Sequence, residues 1–162
     1  MSAASSRKKD TVRYLLAAAV TVAVTLPADA SPFDRYRIGA YRAQNMSVVN
    51  KYNFNRNWIG SPLMNETDVT SNATGVRGSR MIFTNGIIYR MQNGGYPGRT
   101  TVIQGDLRRR YEQSGGLNGP LGFPIEDHKP TPGATGRYNQ RFERGSIVWN
   151  PNNNQYVVLI NP

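Results

Sequence analysis

The sequence predicts a mainly β fold with short helices, and three of its features favour that class. β-branched and aromatic residues form short runs, such as Ile87-Ile88-Tyr89 and Ile147-Val148-Trp149, that suit half-buried strands. Each run lies next to a loop rich in Gly, Asn and Pro, which predicts a hairpin. The order of corner, strand and hairpin occurs twice in the chain, so we expect about two copies of one unit.

Landmarks at nearly constant spacing define the two copies. Residues 59–62 read Ile-Gly-Ser-Pro and lie 62 residues before residues 121–124, Leu-Gly-Phe-Pro, while Phe83 lies 59 residues before Phe142. Such spacing marks an internal repeat, with copies at approximately 48–106 and 107–162. Gly tolerates positive φ and Pro donates no backbone hydrogen bond, so each Gly-x-Pro corner predicts a sharp turn. The residues assigned to structural repeat positions are Ile59, Gly60, Pro62, Phe83, Gly86, Leu121, Gly122, Phe123, Pro124, Phe142 and Gly145.

A helix of about two turns is predicted just before the second corner. Asp106 suits the N-cap, Leu107 and Tyr111 stand four residues apart on one helical face, and the glycine pair at 115–116 supplies the stop. Residues 48–52 precede the first corner in the same way. We expect a shorter version of the helix there.

Residues 1–30 have the features of a signal peptide. Basic residues precede an uncharged apolar run at 14–26, and small residues at 28–30 suit a signal peptidase. Thirteen apolar residues fall short of the ~20 that a membrane-spanning helix needs, which disfavours an uncleaved anchor. We therefore predict a signal peptide at 1–30, a connecting segment at 31–47 and a repeat domain at 48–162, with no transmembrane segment after cleavage.

The chain is strongly basic. Its formal net charge is +10, and without residues 1–30, which hold four basic and two acidic side chains, it is about +8. Such a charge favours anionic polymers or membrane surfaces, but the densest cluster, residues 108–110, is expected on the solvent side of the short helix. A nucleic-acid partner is not expected because no recognisable binding module is present. The absence of cysteine excludes disulfides and thiolate chemistry.

The residues give little support to an enzyme. His128, the single histidine, lies in a Pro-rich loop where a surface position is expected, and no Gly-x-Ser-x-Gly elbow occurs. Acidic residues could supply a carboxylate pair for glycoside hydrolysis. This signal is weak, because any folded chain with eight acidic residues brings some two of them close together. No spacing fits zinc or calcium, so we expect no metal and no cofactor.

The order of these elements resembles the LGFP repeat family. The resemblance covers roughly residues 48–160, and the second copy carries Leu121-Gly122-Phe123-Pro124 unaltered, followed by Phe-x-x-Gly-Ser-Ile at 142–147. It implies a secreted, cell-wall-associated protein of bacteria with mycolic-acid envelopes, with arabinogalactan as the favoured ligand. It also implies blade-like hairpin units that assemble as a partial β-propeller-like domain. The first copy departs from the pattern, with Ile-Gly-Ser-Pro at its corner and Arg90 where Trp149 stands in the second.

Aromatic and polar residues near the hairpins are the candidate carbohydrate-binding groups. Sugars present C–H faces that stack on aromatic rings and hydroxyls that seek polar partners. The candidates are Tyr89, Arg90, Arg137, Tyr138, Glu143 and Trp149. Because Trp149 occurs at a repeat position, packing in the core could account for it without any binding role. Phe142 also occurs at a repeat position, and there we expect core packing. These residues favour a secreted, non-catalytic module that binds a cell-wall glycan.

A second interpretation remains open. An incomplete repeat array exposes apolar edges, which would suit a structural or accessory subunit that docks onto another envelope protein or enzyme. The same edges would allow a homo-oligomer. An envelope hydrolase is the third and weakest interpretation.

Cleavage after Ala30 is expected to leave Ser31 as the first residue of the exported protein, because residues 28–30 offer the small side chains that the peptidase requires. N-terminal sequencing of the released protein measures this directly. A membrane-bound species that keeps residues 14–26 would instead show that the apolar run serves as an anchor.

Overall fold

The computed structural model of the protein describes residues 36–131, 133 and 135–161. The predicted signal peptide at 1–30 lies outside these residues, as does the beginning of the connecting segment. In the described chain, residues 37–42 form a small hairpin of two strands, β1 (Arg37–Ile38) and β2 (Tyr41–Arg42). Ile38 and Ala43 are buried against the first copy, so this part of the connecting segment joins its core.

The first copy consists of one helix followed by a four-stranded antiparallel sheet. Helix α1 spans Met46–Ile59, and the strands are β3 (Thr67–Thr70), β4 (Arg77–Ile82), β5 (Gly86–Met91) and β6 (Thr100–Gln104). The strands pair in chain order, each with its neighbour. In such a meander the hairpin loops lie alternately at the two ends of the strands.

The second copy repeats this arrangement. Helix α2 spans Gly105–Gln113, a 3₁₀ turn spans Gly116–Asn118, and the strands are β7 (Lys129–Pro130), β8 (Tyr138–Phe142), β9 (Gly145–Asn150) and β10 (Gln155–Ile160). They also pair antiparallel in chain order. The prediction of a mainly β fold with short helices is confirmed, and none of the three sheets in the described chain closes into a barrel. A propeller-like assembly of these sheets stays a prediction.

Equivalent hydrogen bonds hold the two corners. In each copy the corner forms an isolated bridge to the phenylalanine that follows β4 or ends β8, Pro62 to Phe83 and Pro124 to Phe142. Matching backbone bonds flank these bridges at about 3 Å. In the first copy the N–H groups of Asn85, Thr84 and Leu63 donate to the carbonyls of Ile59, Ser61 and Ile82, in that order. In the second copy the N–H groups of Arg144, Glu143 and Ile125 donate to the carbonyls of Leu121, Phe123 and Arg141. The corner is therefore one structure built twice.

A stacked Tyr–Phe pair also occurs at matching positions. The rings of Tyr52 and Phe83 lie 5.4 Å apart with an interplanar angle of 14°, and those of Tyr111 and Phe142 lie 4.8 Å apart at 20°. Each tyrosine comes from the helix and each phenylalanine from the sheet. In both copies this stack joins the helix to the corner.

The expectation of a shorter upstream helix is wrong. Helix α1 has 14 residues and α2 has nine. Helix α1 contains no glycine before Gly60, which has a φ of 82°, whereas Gly115 and Gly116 both adopt positive φ soon after α2. The second copy has three more residues than the first between its helical tyrosine and its corner, and the glycine pair within this longer segment ends α2 early. Asp106 is also not the N-cap: Gln104 holds that position and Asp106 lies in the first turn.

The sheet of the first copy is buried on both faces. Ile88 of β5 packs on the α1 side, whereas Ile87 and Tyr89 pack against the second copy. The α1 side is formed by Ile38, Ala43, Val48, Val49, Ile59, Met81, Phe83, Ile88 and Val102. The shared side is formed by Val76, Ile87, Tyr89, Met91, Ile103, Leu107, Tyr111, Leu117, Leu121, Phe123, Ile125, Phe142 and Ile147. Helix α2 therefore lies in the core that joins the copies.

Phe142→Ala is expected to lower the free energy of unfolding by ~3–5 kcal/mol, because Phe142 is 2 % exposed and its ring stacks on Tyr111. Thermal melting of the variant measures the loss. The matched control is Phe54→Ala, since Phe54 on α1 is 88 % exposed. Equal melting temperatures for the two variants would contradict the proposed register of the repeat.

Alkaline pH is expected to destabilise the protein between about pH 10 and pH 12, since burial raises the pKa of Tyr89 to about 12. In this range the Tyr89 phenol has lost its proton in the unfolded chain and keeps it in the folded chain, so this residue alone lowers the free energy of unfolding by about 3 kcal/mol as pH rises. Urea unfolding across this range measures the fall. Tyr89→Phe should reduce it, and Tyr96→Phe at an exposed position should not.

Candidate functional site

A cleft of about 380 Å³ lies between α2 and the hairpin of β9 and β10. Helix α2 contributes one wall, and the turn between the two strands contributes the other. We call this the α2 cleft. It is lined by Asp106, Arg109, Arg110, Gln113, Arg137, Trp149, Asn154, Gln155 and Tyr156. Arg137 and Trp149 are the two sequence candidates that it contains.

Trp149 forms the floor of the α2 cleft and does not present a free face. It is 9 % exposed, its ring meets Tyr156 at 66° with 5.1 Å between centroids, and the guanidinium carbon of Arg137 lies 4.1 Å above its centre. Trp149 therefore lies in the cleft as a candidate whose ring is largely covered by Tyr156 and Arg137. Its ring orients Arg137 through a cation–π contact.

Asp106 fixes two of the arginines in the α2 cleft. Its Oδ2 accepts a hydrogen bond from Arg137 Nη1 at 3.2 Å, and its Oδ1 accepts one from Arg109. Because Arg137 is held by both Asp106 and Trp149, its guanidinium has a defined position. Arg109 is 69 % exposed, so its ion pair adds little stability.

The arginine cluster at 108–110 does not lie wholly in solvent, contrary to expectation. Arg109 is exposed, but Arg108 is half-buried and donates to the carbonyl of Phe83 and to Glu112. Arg110 is also half-buried, and its Nε has no hydrogen-bond partner among the residues that the structure describes. The helix turns these side chains in different directions because successive residues are about 100° apart.

Two further hollows adjoin the α2 cleft. One of about 330 Å³ shares Asp106 and Tyr156 with it and contains Tyr138. The next, of about 610 Å³, shares Gln104 and Gly105 with the second hollow and is lined also by Trp58, Thr84, Asn85, Arg108, Arg109 and Glu112. The three hollows follow the first turns of α2 and together form a groove with both polar and apolar lining, which we call the α2 groove.

His128 is not a surface histidine. It is half-buried, with its ring edge-on to Trp58 of the first copy at 5.9 Å and to Tyr138 of the second at 4.8 Å. Its Nε2 lies 2.9 Å from Gln104 Nε2, so the neutral ring can accept from that amide. Burial lowers the pKa of His128, which favours this neutral form. The residue therefore packs between the copies.

Other sequence candidates lie away from the groove. Tyr89 is buried, with its ring edge-on to Tyr111 and Phe123, and it lines a separate hollow of about 330 Å³ rather than the α2 groove. Arg90 lies on β5, half-buried on the α1 side of the first sheet. Glu143 accepts hydrogen bonds at one oxygen, Oε2, from Thr74 Oγ1 at 2.9 Å and from the backbone N–H of Phe123 at 2.8 Å. Its role in the structure is to hold the second corner.

The sequence analysis missed several residues of the groove. Trp58, Asp106, Arg110 and Tyr156 line it but were not candidates. Tyr156 could have been found from strand alternation, since it pairs directly with Trp149 across β9 and β10. Trp58 and Asp106 line neighbouring hollows of one groove only because the two copies pack around α2. No local sequence pattern signals that packing.

Comparison with known proteins bears on the second copy. The family model of the LGFP repeat matches residues 121–160, from the corner to the end of β10. No curated protein matches the chain. Neither α1 nor α2 combines the length and apolar character that a membrane crossing requires, in the part of the chain that the structure describes. The resemblance to the LGFP repeat family drawn from the second corner and its phenylalanine is thus confirmed for residues 121–160, which match the LGFP repeat model.

Proposed function

We propose that the protein is a secreted, non-catalytic module that binds a cell-wall glycan along the α2 groove. The LGFP repeat is associated with cell-wall and envelope proteins, which supports the location. The observation that carries the proposal is the groove itself, because three adjoining hollows with both polar and apolar lining suit an extended sugar polymer better than a single small molecule. Arabinogalactan is the ligand that the resemblance favours.

The side chains of the groove match what a sugar chain offers. Tyr138 and Tyr156 bring aromatic rings to the middle hollow, where C–H faces of a sugar ring can pack. Arg137 and Asn154 bring donors to the α2 cleft, and Asp106 brings acceptor oxygens for hydroxyl groups. The groups of this groove that are held in place, Arg137 above all, lose little side-chain freedom on binding.

A docking subunit is the alternative, and one observation favours it. Large apolar side chains of the first copy are exposed, with Phe54 at 88 % and Leu63 at 54 %. Phe54 stands on α1 among Asn and Arg residues, where no described part of the chain covers it. Such a side chain suits contact with another envelope protein or with a second molecule of this chain.

Tyr138→Ala is expected to weaken retention on purified cell walls by about tenfold, since loss of one ring contact of ~1.4 kcal/mol corresponds to that factor. Co-sedimentation of the protein with delipidated walls, with and without removal of arabinan, measures retention. Trp149 is unsuitable for this test because its buried ring holds the fold.

Tyr96→Ala is the matched control, because Tyr96 is exposed on the loop between β5 and β6 and lies outside the groove. Melting curves of both variants exclude a general loss of structure. The docking subunit would be favoured by two results together. The Tyr138→Ala variant would be retained on walls as well as the wild type, and the wild-type protein would co-purify with one envelope protein in fixed ratio. Turnover of a wall polymer would overturn the non-catalytic assignment.

A further inference from the structure

We propose that the α2 cleft recognises an oxyanion, a carboxylate or a phosphate group, carried by the polymer that the protein binds. The inference rests on the proposed function and narrows its ligand class. A largely neutral glycan such as arabinogalactan would then be recognised at an acidic substituent or linkage. Three features of the cleft carry the proposal: its net charge, a buried donor without a partner, and the fixed position of Arg137.

The lining of the α2 cleft carries more positive than negative charge. Arg109, Arg110 and Arg137 face a single carboxylate, that of Asp106. Both Arg109 and Arg137 contact Asp106, so one acidic group is shared between two guanidinium groups. The other lining side chains are uncharged: Gln113, Trp149, Asn154, Gln155 and Tyr156. The cleft wall therefore has an excess of two positive charges, which a neutral sugar would leave uncompensated.

Arg110 has hydrogen-bonding capacity that the fold does not use. Its Nε is buried and has no partner within the described chain, and no ion pair joins Arg110 to a described acidic residue. Buried donors in folded proteins are nearly always satisfied by protein groups, by water or by a ligand. Because the Arg110 side chain has no hydrogen bond or ion pair within the described chain and lines the cleft, its guanidinium is free to pair with an oxyanion there.

Arg137 is already positioned to complete such a site. The Trp149 ring and Asp106 hold its guanidinium, so binding costs little further ordering of that side chain. Guanidinium groups form paired, charge-assisted hydrogen bonds to carboxylate and phosphate oxygens, which ammonium groups cannot do in the same planar geometry. All three cations of the cleft are arginines and none is a lysine. This composition favours a planar, bidentate recognition of an oxyanion.

The test compares sugars that differ in one acidic group. The purified protein, labelled with ¹⁵N, is titrated at constant ionic strength with galacturonate, galactose, glucose 6-phosphate and glucose, and the side-chain Nε–H resonances of its arginines are followed. We expect the Arg110 resonance to move with at least one acidic sugar, with a Kd about tenfold lower than for its neutral counterpart. A response to galacturonate assigns a carboxylate, and a response to glucose 6-phosphate assigns a phosphate.

Variants locate the effect. Arg110→Gln should raise the Kd for the acidic sugar about tenfold, because it removes one charge-assisted contact. Arg141→Gln is the matched control, since Arg141 is exposed on β8 and pairs with Glu126 outside the cleft. Equal response to acidic and neutral sugars, no response to any of the four, or wild-type affinity in Arg110→Gln would each overturn the proposal.

Co-sedimentation with walls keeps this proposal separate from the proposed function. Walls whose carboxylates have been amidated with a neutral amine, and walls whose phosphodiesters have been cleaved, are compared with untreated walls. Undiminished retention on both treated samples, together with a negative titration, overturns oxyanion recognition and leaves glycan binding standing. Failure to bind untreated walls overturns glycan binding itself, whatever the titration shows.

Discussion

The stack of Tyr111 on Phe142 is the contact on which the second copy depends. Tyr111 also donates from its hydroxyl to the carbonyl of Gly122 at 2.8 Å, so one side chain joins helix α2, strand β8 and the corner. Both rings are buried, and burial raises the pKa of Tyr111, which keeps the hydroxyl protonated as a donor. The corner in turn needs Gly122, whose φ is 74° and whose missing Cβ leaves room for Glu143.

The position of α2 explains why the site and the core share one helix. Leu107 and Tyr111 pack inward, whereas Arg109 and Arg110 line the cleft. Because Tyr111 fixes the rotation of α2, it also determines where the arginines lie. The same helix covers the apolar face of the first sheet. The stability of the pair of copies and the geometry of the groove therefore depend on one set of contacts.

Local pattern in the sequence was enough to predict the repeat unit and much of its sheet. The spacing of Phe83 and Phe142 reports positions that recur in the structure, because in each copy the proline of the corner bridges to this phenylalanine. The site was harder to predict, since Trp149 and Tyr89 look alike in sequence as aromatics near strand ends. Both are buried: Phe123 of the second copy covers Tyr89, whereas Tyr156 and Arg137 of its own copy cover Trp149. Burial of Tyr89 between the copies leaves no local signal in the sequence.

Corresponding faces of the two sheets differ in their residues, and this difference bears on where a partner could bind. In the first copy Ile87, Tyr89 and Met91 face the second copy, and their counterparts 59 residues later are Ser146, Val148 and Asn150. On β9 that face offers a partner less apolar surface to bury, but β10 adds Leu159, which pairs with Ser146 and is 48 % exposed. Exposed apolar side chains also occur near α1, including Phe54. A protein partner therefore has apolar side chains to bury both at α1 and at the second sheet.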